Sequence, residues 1–403
     1  MIYRSFSKRQ LLAMTWWNRP RLCDRDALIC DGAVRSGKTL ATVCGFFLWS
    51  MTRFDRQVFA ICGKTVSALR RNIILQLAGW LGSLFQITEF RQENKLVVRL
   101  GGHVNTYYLF GGQDESSYML IQGITLAGVL LDEVALMPRS FVEQAAARCS
   151  VEGSKMWFSC NPGGAEHWFY KEWICKRKEK NALYLHFTMQ DNPGLSENVR
   201  QRYHRLYTGV FYRRYVLGQW CKAEGLVYAF DEEKHLCSEI PKYGRWYISV
   251  DYGTYNAFSA GLWCVAEGKA VRVGEFYHSG RQTGRLLTDQ DYHDALVALA
   301  GDKPVECVVI DPSAASMIAL IRKTGRFRVR RAKNSVLPGI CLVSSLLQQG
   351  RLLFSPDCKN TLREFSMYCW EDDPSRDVPR KENDHAMDDV RYFAMTVLGR
   401  MEN

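Results

Sequence analysis

The sequence has little that would place the protein outside a reducing, aqueous compartment. Its 14 cysteines include no CxxC pair, and their fraction is too low for a disulfide scaffold. This pattern favours reduced thiols and argues against a structural zinc site. The first 17 residues lack the apolar segment and the small-residue cleavage site of a signal peptide, which argues against secretion.

Long hydrophobic runs are also missing. The longest mostly apolar stretch without a charge, residues 39–51, is shorter than a membrane span and is interrupted by Thr, Gly and Ser. We therefore expect a buried helix there and no membrane partner. Hydrophobic residues make up 47% and charged residues 24%, as in folded proteins. Because 403 residues exceed what one core usually organises, two domains are expected.

The balance of charge favours an anionic partner such as nucleic acid. Lys and Arg number 53 against 42 Asp and Glu, which gives a net charge of +11. Residues 200–215 interleave cations with aromatic rings, and residues 322–333 form a second basic run. Both are candidates for DNA contact. The alternatives are a solvated face for either run and a linker helix for the first.

A phosphate-binding loop is the most specific motif of the chain. Residues 32–39 read GAVRSGKT, which fits G-x-x-x-x-G-K-[ST] between a strand-like and a helix-like apolar segment. In such loops backbone N–H groups and the helix dipole face phosphate. We expect Lys38 to reach the β and γ phosphates of ATP and Thr39 to bind its Mg²⁺. The other expected cofactor-binding residues of the loop are Gly32, Arg35, Ser36 and Gly37.

Two further predicted strands bring polar residues to the same edge of a sheet. The apolar run 126–131 ends in Asp132, expected to hold the Mg²⁺, and Glu133, expected to act as the catalytic base for water. The run 155–159 leads into a Cys-Asn-Pro-Gly-Gly turn. There Asn161 is a candidate sensor of the γ phosphate, and a simple polar turn is an equal alternative.

The second half of the sequence delivers aspartates from separate elements. Strands are predicted at 247–253, 259–265 and 270–277, then a helix around 286–299 and a strand at 305–310. The first of these strands carries Asp251 near its end, and the last is followed by Asp311.

A predicted helix that opens near residue 383 carries His385 and Asp388 on one side. A cluster of carboxylates is costly unless cations neutralise it. We therefore expect Asp251, Asp311 and Asp388 to bind two Mg²⁺ or Mn²⁺ ions that cleave phosphodiester bonds.

In this order, the motifs resemble the large subunits of the DNA-packaging terminases of tailed phages and prophages. The resemblance covers nearly the whole chain. It implies the α/β class, with a P-loop NTPase (packaging motor) domain over residues 1–205, a linker over 206–225 and an RNase H-like nuclease domain over 226–403. The stretches that carry it are GAVRSGKT (32–39), GITLAGVLLDEVALMP (123–138), WFSCNPGGAEHWFYKEW (157–173), DNPGLSE (191–197), LGQWCKAEGLVY (217–228), VDYGT (250–254) and DHAMDDVRY (384–392).

The resemblance implies the site roles given above and adds others. His385 matches a histidine placed beside the third aspartate, where it aids metal binding or proton transfer. Asp388 is the expected third ligand, because many relatives carry a small residue at the position of Asp389. Gln10 is a candidate for the family's adenine-reading glutamine, with a surface glutamine as the alternative.

The arginine finger is left open by the resemblance. Gln122 stands where some relatives carry a basic residue with this role. Arg35 in the loop, or Arg148 acting from a neighbouring subunit, remains as a candidate, since a finger needs only a guanidinium that reaches the γ phosphate.

The resemblance also implies a mechanism and partners. ATP hydrolysis in a homo-oligomeric ring, docked on the portal protein of a procapsid, would drive double-stranded DNA inward, and the endonuclease would cut the concatemer at initiation and termination. The small terminase subunit is a further partner, and the chain is expected as a monomer in solution. The expected location is the host cytoplasm and, transiently, the portal vertex, outside the mature virion.

Two other functions share some of these motifs. A helicase-nuclease or repair motor would have the same phosphate loop but no need of capsid proteins. A nucleotide-regulated DNA-binding scaffold would bind ATP without turnover. Glu133 and the three aspartates argue against the scaffold, because binding alone requires neither a base nor a metal cluster.

Overall fold

The described part of the chain divides into two compact units. The computed structural model describes residues 5–237, 239–241, 243–371 and 377–400. The first unit takes in most of the chain up to Lys222, and the second begins at Ala223 and also includes residues 205–208. Each unit is built on its own sheet. No helix among these residues has the length and apolarity that a membrane crossing requires.

The first unit contains a sheet of eight strands. In chain order they are β1 (Ala27–Gly32), β2 (Val58–Gly63), β3 (Gln86–Phe90), β4 (Lys95–Leu100), β5 (His103–Gly111), β6 (Gly128–Leu131), β7 (Lys155–Cys160) and β8 (Ala182–Phe187). Their order across the sheet is β3-β4-β5-β2-β6-β7-β1-β8. The strands from β5 to β8 in this order are parallel, whereas β3, β4 and β5 pair antiparallel.

Helices accompany this sheet. They are α1 (Lys8–Thr15), α2 (Lys38–Arg53), α3 (Val66–Leu69), α4 (Leu75–Leu81), α5 (Arg139–Ala147), α6 (Glu197–Leu206) and α7 (Gly209–Phe211). Short 3₁₀ helices span Trp16–Asn18, Glu115–Ile121, Val134–Leu136 and Met189–Asp191, and π-helical turns span Arg70–Ile74, Tyr170–Ile174 and Tyr212–Val216. The basic stretch 200–215 is therefore not one continuous helix.

Parallel strands in this unit are apolar because both of their faces are covered. Every residue of β1 is buried, as expected of a strand between two layers. On one face α2 packs Phe46 against Trp157, with ring centroids 6.2 Å apart. On the other face Phe158 lies against Trp173, with centroids 4.6 Å apart. The predicted buried helix at 39–51 is confirmed by α2.

The end of β1 is fixed by close packing. Gly32 has φ of +129°, and a Cβ there would lie 1.9 Å from the carbonyl oxygen of Phe187. Just before it, Asp31 is fully buried and accepts hydrogen bonds from Trp220 Nε1 at 2.7 Å and His186 Nδ1 at 2.9 Å. Contacts from residues far along the chain thus hold the start of the phosphate loop.

The second unit contains a sheet of six strands. They are β9 (Arg245–Asp251), β10 (Ala257–Ala266), β11 (Lys269–Ser279), β12 (Val305–Ile310), β13 (Val329–Arg331) and β14 (Leu352–Phe354). Their order is β13-β12-β9-β10-β11-β14, in which β9, β10 and β11 form an antiparallel meander and β12 and β13 continue parallel to β9. This is the strand arrangement of RNase H-like folds, and the predicted α/β class with its two fold types is confirmed.

The helices of this unit cover the sheet. They are α8 (Glu232–His235), α9 (Gly280–Thr283), α10 (Asp289–Ala300), α11 (Ala315–Thr324), α12 (Val336–Gln348), α13 (Lys359–Met367) and α14 (His385–Thr396), followed by a 3₁₀ turn at Leu398–Arg400. The predicted helix around 286–299 begins only at Asp289, because Thr288 caps it in a capping box with Asp291. Similarly, the strand predicted from 126 begins at Gly128.

One buried ion pair joins α14 to the sheet. Arg272 on β11 and Asp389 on α14 both have fully buried side chains. Both carboxylate oxygens accept hydrogen bonds from the guanidinium, with Nη2 to Oδ2 at 3.0 Å, and both also accept from serine hydroxyls, Ser249 and Ser259. Gly261 makes room for this pair, since a Cβ there would lie 2.3 Å from Arg272 Nη1. These hydrogen bonds offset much of the cost of burying two charges, although Arg272 Nε itself has no hydrogen-bond partner among the described residues.

The Gly32→Ala variant tests the packing at the end of β1. The added methyl group would collide with Phe187 and occupy a positive φ, so we expect the first unit to lose at least about 2 kcal/mol of stability. Hydrogen exchange of the β1 and β8 peptides measures the loss. The Gly102→Ala variant is the control, because nothing lies within 4 Å of its added Cβ. Equal exchange in both variants would refute this account of the packing.

The Asp389→Ala variant tests the buried pair. It leaves the Arg272 guanidinium buried without its carboxylate, so we expect a loss of about 3–5 kcal/mol. Hydrogen exchange in peptides of β11 and α14 reports this loss within the full chain. The exposed Asp302→Ala variant should leave the exchange of these peptides unchanged. If Asp389→Ala also leaves it unchanged, the pair does not anchor α14.

Candidate functional site

The predicted phosphate loop connects β1 to α2. Arg35 and Gly37 have left-handed φ values of 56° and 82°, and Gly37 precedes the first turn of α2. The Lys38 amine donates to the Ala33 carbonyl at 3.0 Å and to Asn161 Oδ1 at 2.5 Å. Burial lowers the pKa of Lys38, while nearby acidic groups such as Asp132 oppose this shift. The structure thus brings the loop lysine and the predicted sensor together.

A hydroxyl and a carboxylate meet beside the loop. Thr39 Oγ1 donates to Asp132 Oδ1 at 3.3 Å, and Ser159 donates to the same oxygen at 2.5 Å. Burial raises the pKa of Asp132, and the Ser159 hydrogen bond opposes this shift. Oxygen ligands of these two types are what Mg²⁺ prefers, so Thr39 and Asp132 fit the predicted ion. No motif in the sequence singles out Ser159.

Glu133 lies next to this pair in a strained conformation. Its φ is 56°, which is uncommon for a residue other than glycine, and such strain is frequent at functional sites. Burial raises its pKa, and the charge of Asp132 adds to the shift. Glu133 lines a cavity of about 490 Å³ together with Thr39, Asp132 and Arg35. The predicted base therefore faces the same space as the predicted magnesium ligands.

Sequence reasoning missed the far wall of this cavity. Arg71, Asn72, Gln76 and Trp80 line it from the π-helical turn after α3 and from α4. No motif marks them, since they follow an ordinary amphipathic pattern. Arg71 is the notable omission, because it places a second exposed guanidinium in the cavity beside that of Arg35.

The candidates for an arginine finger lie in different places. Arg35 lines the cavity, and its Nε donates to the Tyr203 hydroxyl at 3.0 Å. The Arg148 carbonyl accepts from Leu126 N–H before β6 begins, so Arg148 lies at the sheet edge opposite Asp132. Within one chain it is therefore remote from the loop.

Gln10 lies under the phosphate loop. Its side chain is buried, so the alternative of a surface glutamine is wrong. Its Oε1 accepts from Ser7 N–H at 3.0 Å, and its Nε2 would lie 2.3 Å from a Cβ placed on Gly37. This location agrees with a contact to the nucleotide, but no base-reading geometry is present, and that role remains a prediction.

In the second unit, Asp251 and Asp311 lie side by side. β9 and β12 are parallel with Val250 paired to Ile310, so the two aspartates follow at neighbouring positions of one sheet edge. Asp311 accepts from Ser313 N–H at 2.7 Å and from the Tyr392 hydroxyl at 2.9 Å. Burial opposes ionisation, but these hydrogen bonds leave the pKa of Asp311 below its usual range.

The first turn of α14 adds the other predicted residues. His385 Nδ1 lies 2.9 Å from Asp251 Oδ2, and Asp388 Oδ1 accepts from Arg391 at 2.7 Å. Burial raises the pKa of Asp251 to about 6; the His385 hydrogen bond opposes this shift and the charge of Asp388 adds to it. Asp251, His385 and Asp388 line one cavity of about 730 Å³, which Asp384 also lines.

The charges of all three aspartates act on Tyr392, whose hydroxyl donates to Asp311. Burial raises the pKa of Tyr392, and the charges of Asp251, Asp388 and Asp311 add to it. Each carboxylate also has a protein partner, respectively His385, Arg391 and Tyr392. Within the described ranges, no three His, Cys, Asp or Glu side chains are placed to hold a metal ion as they stand. The donor chemistry fits such an ion, and the two-metal assignment remains a prediction.

Sequence reasoning also missed Glu364, which caps α14. Its carboxylate accepts from Ala386 N–H and from the Tyr277 hydroxyl, both at 2.7 Å. Burial raises its pKa to about 7, and these hydrogen bonds oppose the shift. Nothing in the sequence connects α13 with a site residue. Asp389, in contrast, is bound to Arg272 in the core, whereas Asp388 lines the cavity.

Comparison with known proteins agrees with this architecture. The large terminase of a thermophilic bacteriophage is 46% identical, with a TM-score of 0.92 over 98% of this chain and 100% of that chain. The same protein in complex with ATP-gamma-S gives 45% identity and a TM-score of 0.89 over the same shares. Its complex with ADP gives 45% and 0.90, again over 98% and 100%.

Sequence comparison reaches the same family. The large terminase subunit of Escherichia phage T5 is 24% identical over 290 residues, which span 66% of this chain and 64% of that protein, slightly less than two thirds of its length. The family model for the N-terminal part of the terminase large subunit, T4likevirus-type, matches residues 29–235. This match covers half of the chain, and the chain belongs to the terminase large subunit family.

Proposed function

We propose that this chain is an ATP-driven DNA-packaging motor with its own endonuclease. ATP hydrolysis in the first unit would drive double-stranded viral DNA into the procapsid, and a two-metal site in the second would cut it at initiation and termination. The observation that carries the proposal is the pair of hydrogen bonds from Lys38 to Asn161 and from Thr39 to Asp132, beside the cavity that Glu133 lines. The terminase of the thermophilic phage, similar over 98% of this chain, binds ADP and ATP-gamma-S.

The nucleotide site would work through groups that the fold already positions. The loop N–H groups and the Lys38 amine would bind the phosphates, and Thr39 and Asp132 would hold Mg²⁺. Bound there, the ion would neutralise charge on the phosphate oxygens. Glu133 would take the proton of the attacking water, and its raised pKa makes it a stronger base than an exposed glutamate.

Asn161 would couple the nucleotide state to the rest of the unit. Its Oδ1 is bonded to the Lys38 amine, which is also the group expected to contact the γ phosphate. If Lys38 changed its partners on hydrolysis, its hydrogen bond to Asn161, just after β7, would change as well. Both Arg35 and Arg71 line the same cavity, so a charge-stabilising guanidinium from within the chain is available on either side.

The nuclease site would use carboxylates that need cations. Asp251, Asp311 and Asp388 would hold two Mg²⁺ or Mn²⁺ ions, which activate water and stabilise the leaving oxygen when bound. The raised pKa of Asp251, to about 6, reflects negative charge held in a buried place, which a cation would relieve. His385 would orient Asp251 through Nδ1 and exchange protons at Nε2, which lies 3.9 Å from Asp384.

The assignment of domains and partners follows from this proposal. Residues 1–205 would form the motor domain, 206–225 the linker and 226–403 the nuclease domain. The chain would assemble as a ring on the portal protein, with the small terminase subunit and double-stranded DNA as further partners, in the host cytoplasm. A helicase-nuclease would share both sites, and stimulation of ATP hydrolysis by procapsids would separate the two functions.

Two variants should separate the activities. We expect Glu133→Gln to lower ATP turnover by at least about 100-fold and to leave DNA cleavage intact, because a positioned base contributes at least that factor. Asp311→Asn should abolish cleavage and leave the ATPase rate unchanged. Steady-state ATP hydrolysis and plasmid cleavage measure both effects. Loss of both activities in either variant, with an unchanged melting profile, would contradict the assignment of the two sites to separate units.

Metal dependence tests the carboxylate site. Purified protein should cut plasmid DNA with Mn²⁺ or Mg²⁺ and not with EDTA, because the expected nucleophile is a metal-activated water. The Asp251→Ala variant should not cut, whereas the exposed Asp302→Ala variant should cut at the wild-type rate. Cleavage that survives in EDTA or in Asp251→Ala would exclude the proposed ligands.

A further inference from the structure

The basic run 322–333 follows the outer edge of the second unit's sheet. Of its twelve residues, seven are Lys or Arg and none is acidic. The run includes the last turn of α11 and the edge strand β13, and it ends beside α14. Charges on an edge strand have a simple structural use, since they prevent pairing with another sheet. The position of some of these charges beside the proposed nuclease site indicates a second use, as contacts to the substrate.

The two ends of this run lie at opposite ends of the strands of the sheet. β13 is parallel to β12 with Arg331 paired to Ile310, and Ala332 N–H donates to the Ile310 carbonyl at 2.8 Å. Asp311 is the next residue, so Arg331 and Lys333 flank the strand end that carries it. α11 begins soon after Asp311 and rises about 15 Å over its ten residues. Arg322 and Lys323, at its far end, are therefore distant from Asp311.

The near end of the run is tied to the helix that carries Asp388. Lys333 N–H donates to Thr396 Oγ1 on α14 at 3.0 Å. The next carbonyl, that of Asn334, accepts from Arg391 Nη1 at 2.5 Å, and the other terminal nitrogen of Arg391 binds Asp388 at 2.7 Å. These bonds fix the backbone of the basic run relative to the proposed metal ligand.

The cations at this end are available to a ligand. Arg331 and Lys333 are exposed, and neither side chain makes an ion pair or hydrogen bond with any residue that the structure describes. In contrast, Arg391 and Arg272 are buried and bound to aspartates. Exposed, unpaired cations beside the proposed nuclease site are the groups that contact the phosphates of a DNA backbone.

We infer that Arg331 and Lys333 bind backbone phosphates of the DNA strand next to the bond that the nuclease cleaves. The inference rests on the proposed nuclease function and adds a surface to it, defined by residues 328–333 and called here the basic edge. The partner is the sugar-phosphate backbone of double-stranded DNA. Contacts of this type position the substrate without reading its sequence.

A matched pair of double variants tests the inference. Arg331→Gln/Lys333→Gln should lower kcat/KM for plasmid cleavage about tenfold and reduce the salt dependence of log kcat/KM by about 1.8, or 0.9 for each lost phosphate contact. Arg322→Gln/Lys323→Gln removes the same charge from the same run, at the opposite end of the strands. This control variant should leave the cleavage rate and its salt dependence at wild-type values. Equal losses in both variants, or no loss in the first, would overturn the inference.

A second measurement does not depend on cleavage. Duplex DNA added in EDTA should slow hydrogen exchange in the peptide that covers the basic edge of the wild-type chain, and this protection should disappear in Arg331→Gln/Lys333→Gln. If the wild type shows this protection but fails to cut DNA with either metal, the nuclease proposal fails and the DNA contact stands. If it cuts DNA but shows no protection here, the contact is wrong and the nuclease stands.

Discussion

The ion pair between Arg272 and Asp389 is the interaction on which the second unit depends. It joins β11, the outer strand of the meander, to α14, and it turns the Asp389 side of that helix toward the sheet. With Asp389 turned into the core, Asp388 and His385 face the cavity at the strand ends. Because an unpaired buried charge is costly, a helix rotated otherwise would be strongly disfavoured. The position of the site residues on α14 is therefore decided in the core.

Two glutamates with buried side chains link the same strand and helix a second time, through α13. Glu275, three residues beyond Arg272 on β11, accepts from Thr361 N–H at 3.0 Å and so caps α13. Glu364 on α13 caps α14 through Ala386 N–H. Carboxylates at helix N-termini satisfy free N–H groups and complement the helix dipole. The strand, the two helices and the ion pair thus hold one another, which gives the nuclease candidate a rigid support.

In the first unit, close packing and single hydrogen bonds hold the candidate site. Gly32 allows β8 to approach the start of the loop, and Asp31 is bonded to Trp220, which lies 189 residues further along the chain. At the other side, Lys38 is bonded to Asn161 at the end of a neighbouring strand. In both units the candidate residues lie where parallel strands end, because side chains there are free of the core and converge on one edge.

The sequence determined those parts of the protein that depend on local geometry. The phosphate loop, the acidic pair after β6 and the aspartates at the ends of β9 and β12 were predictable, since strand ends and glycine turns are set by neighbouring residues. The resemblance already favoured Asp388 over Asp389 as the site residue, but only tertiary structure decided that Asp389 is buried in an ion pair, because its partner lies 117 residues away. It also decided that Arg71 lines the cavity of Glu133, that Gln10 is buried and that Glu364 caps α14. Such choices rest on packing between distant elements, and spacing along the chain does not encode them.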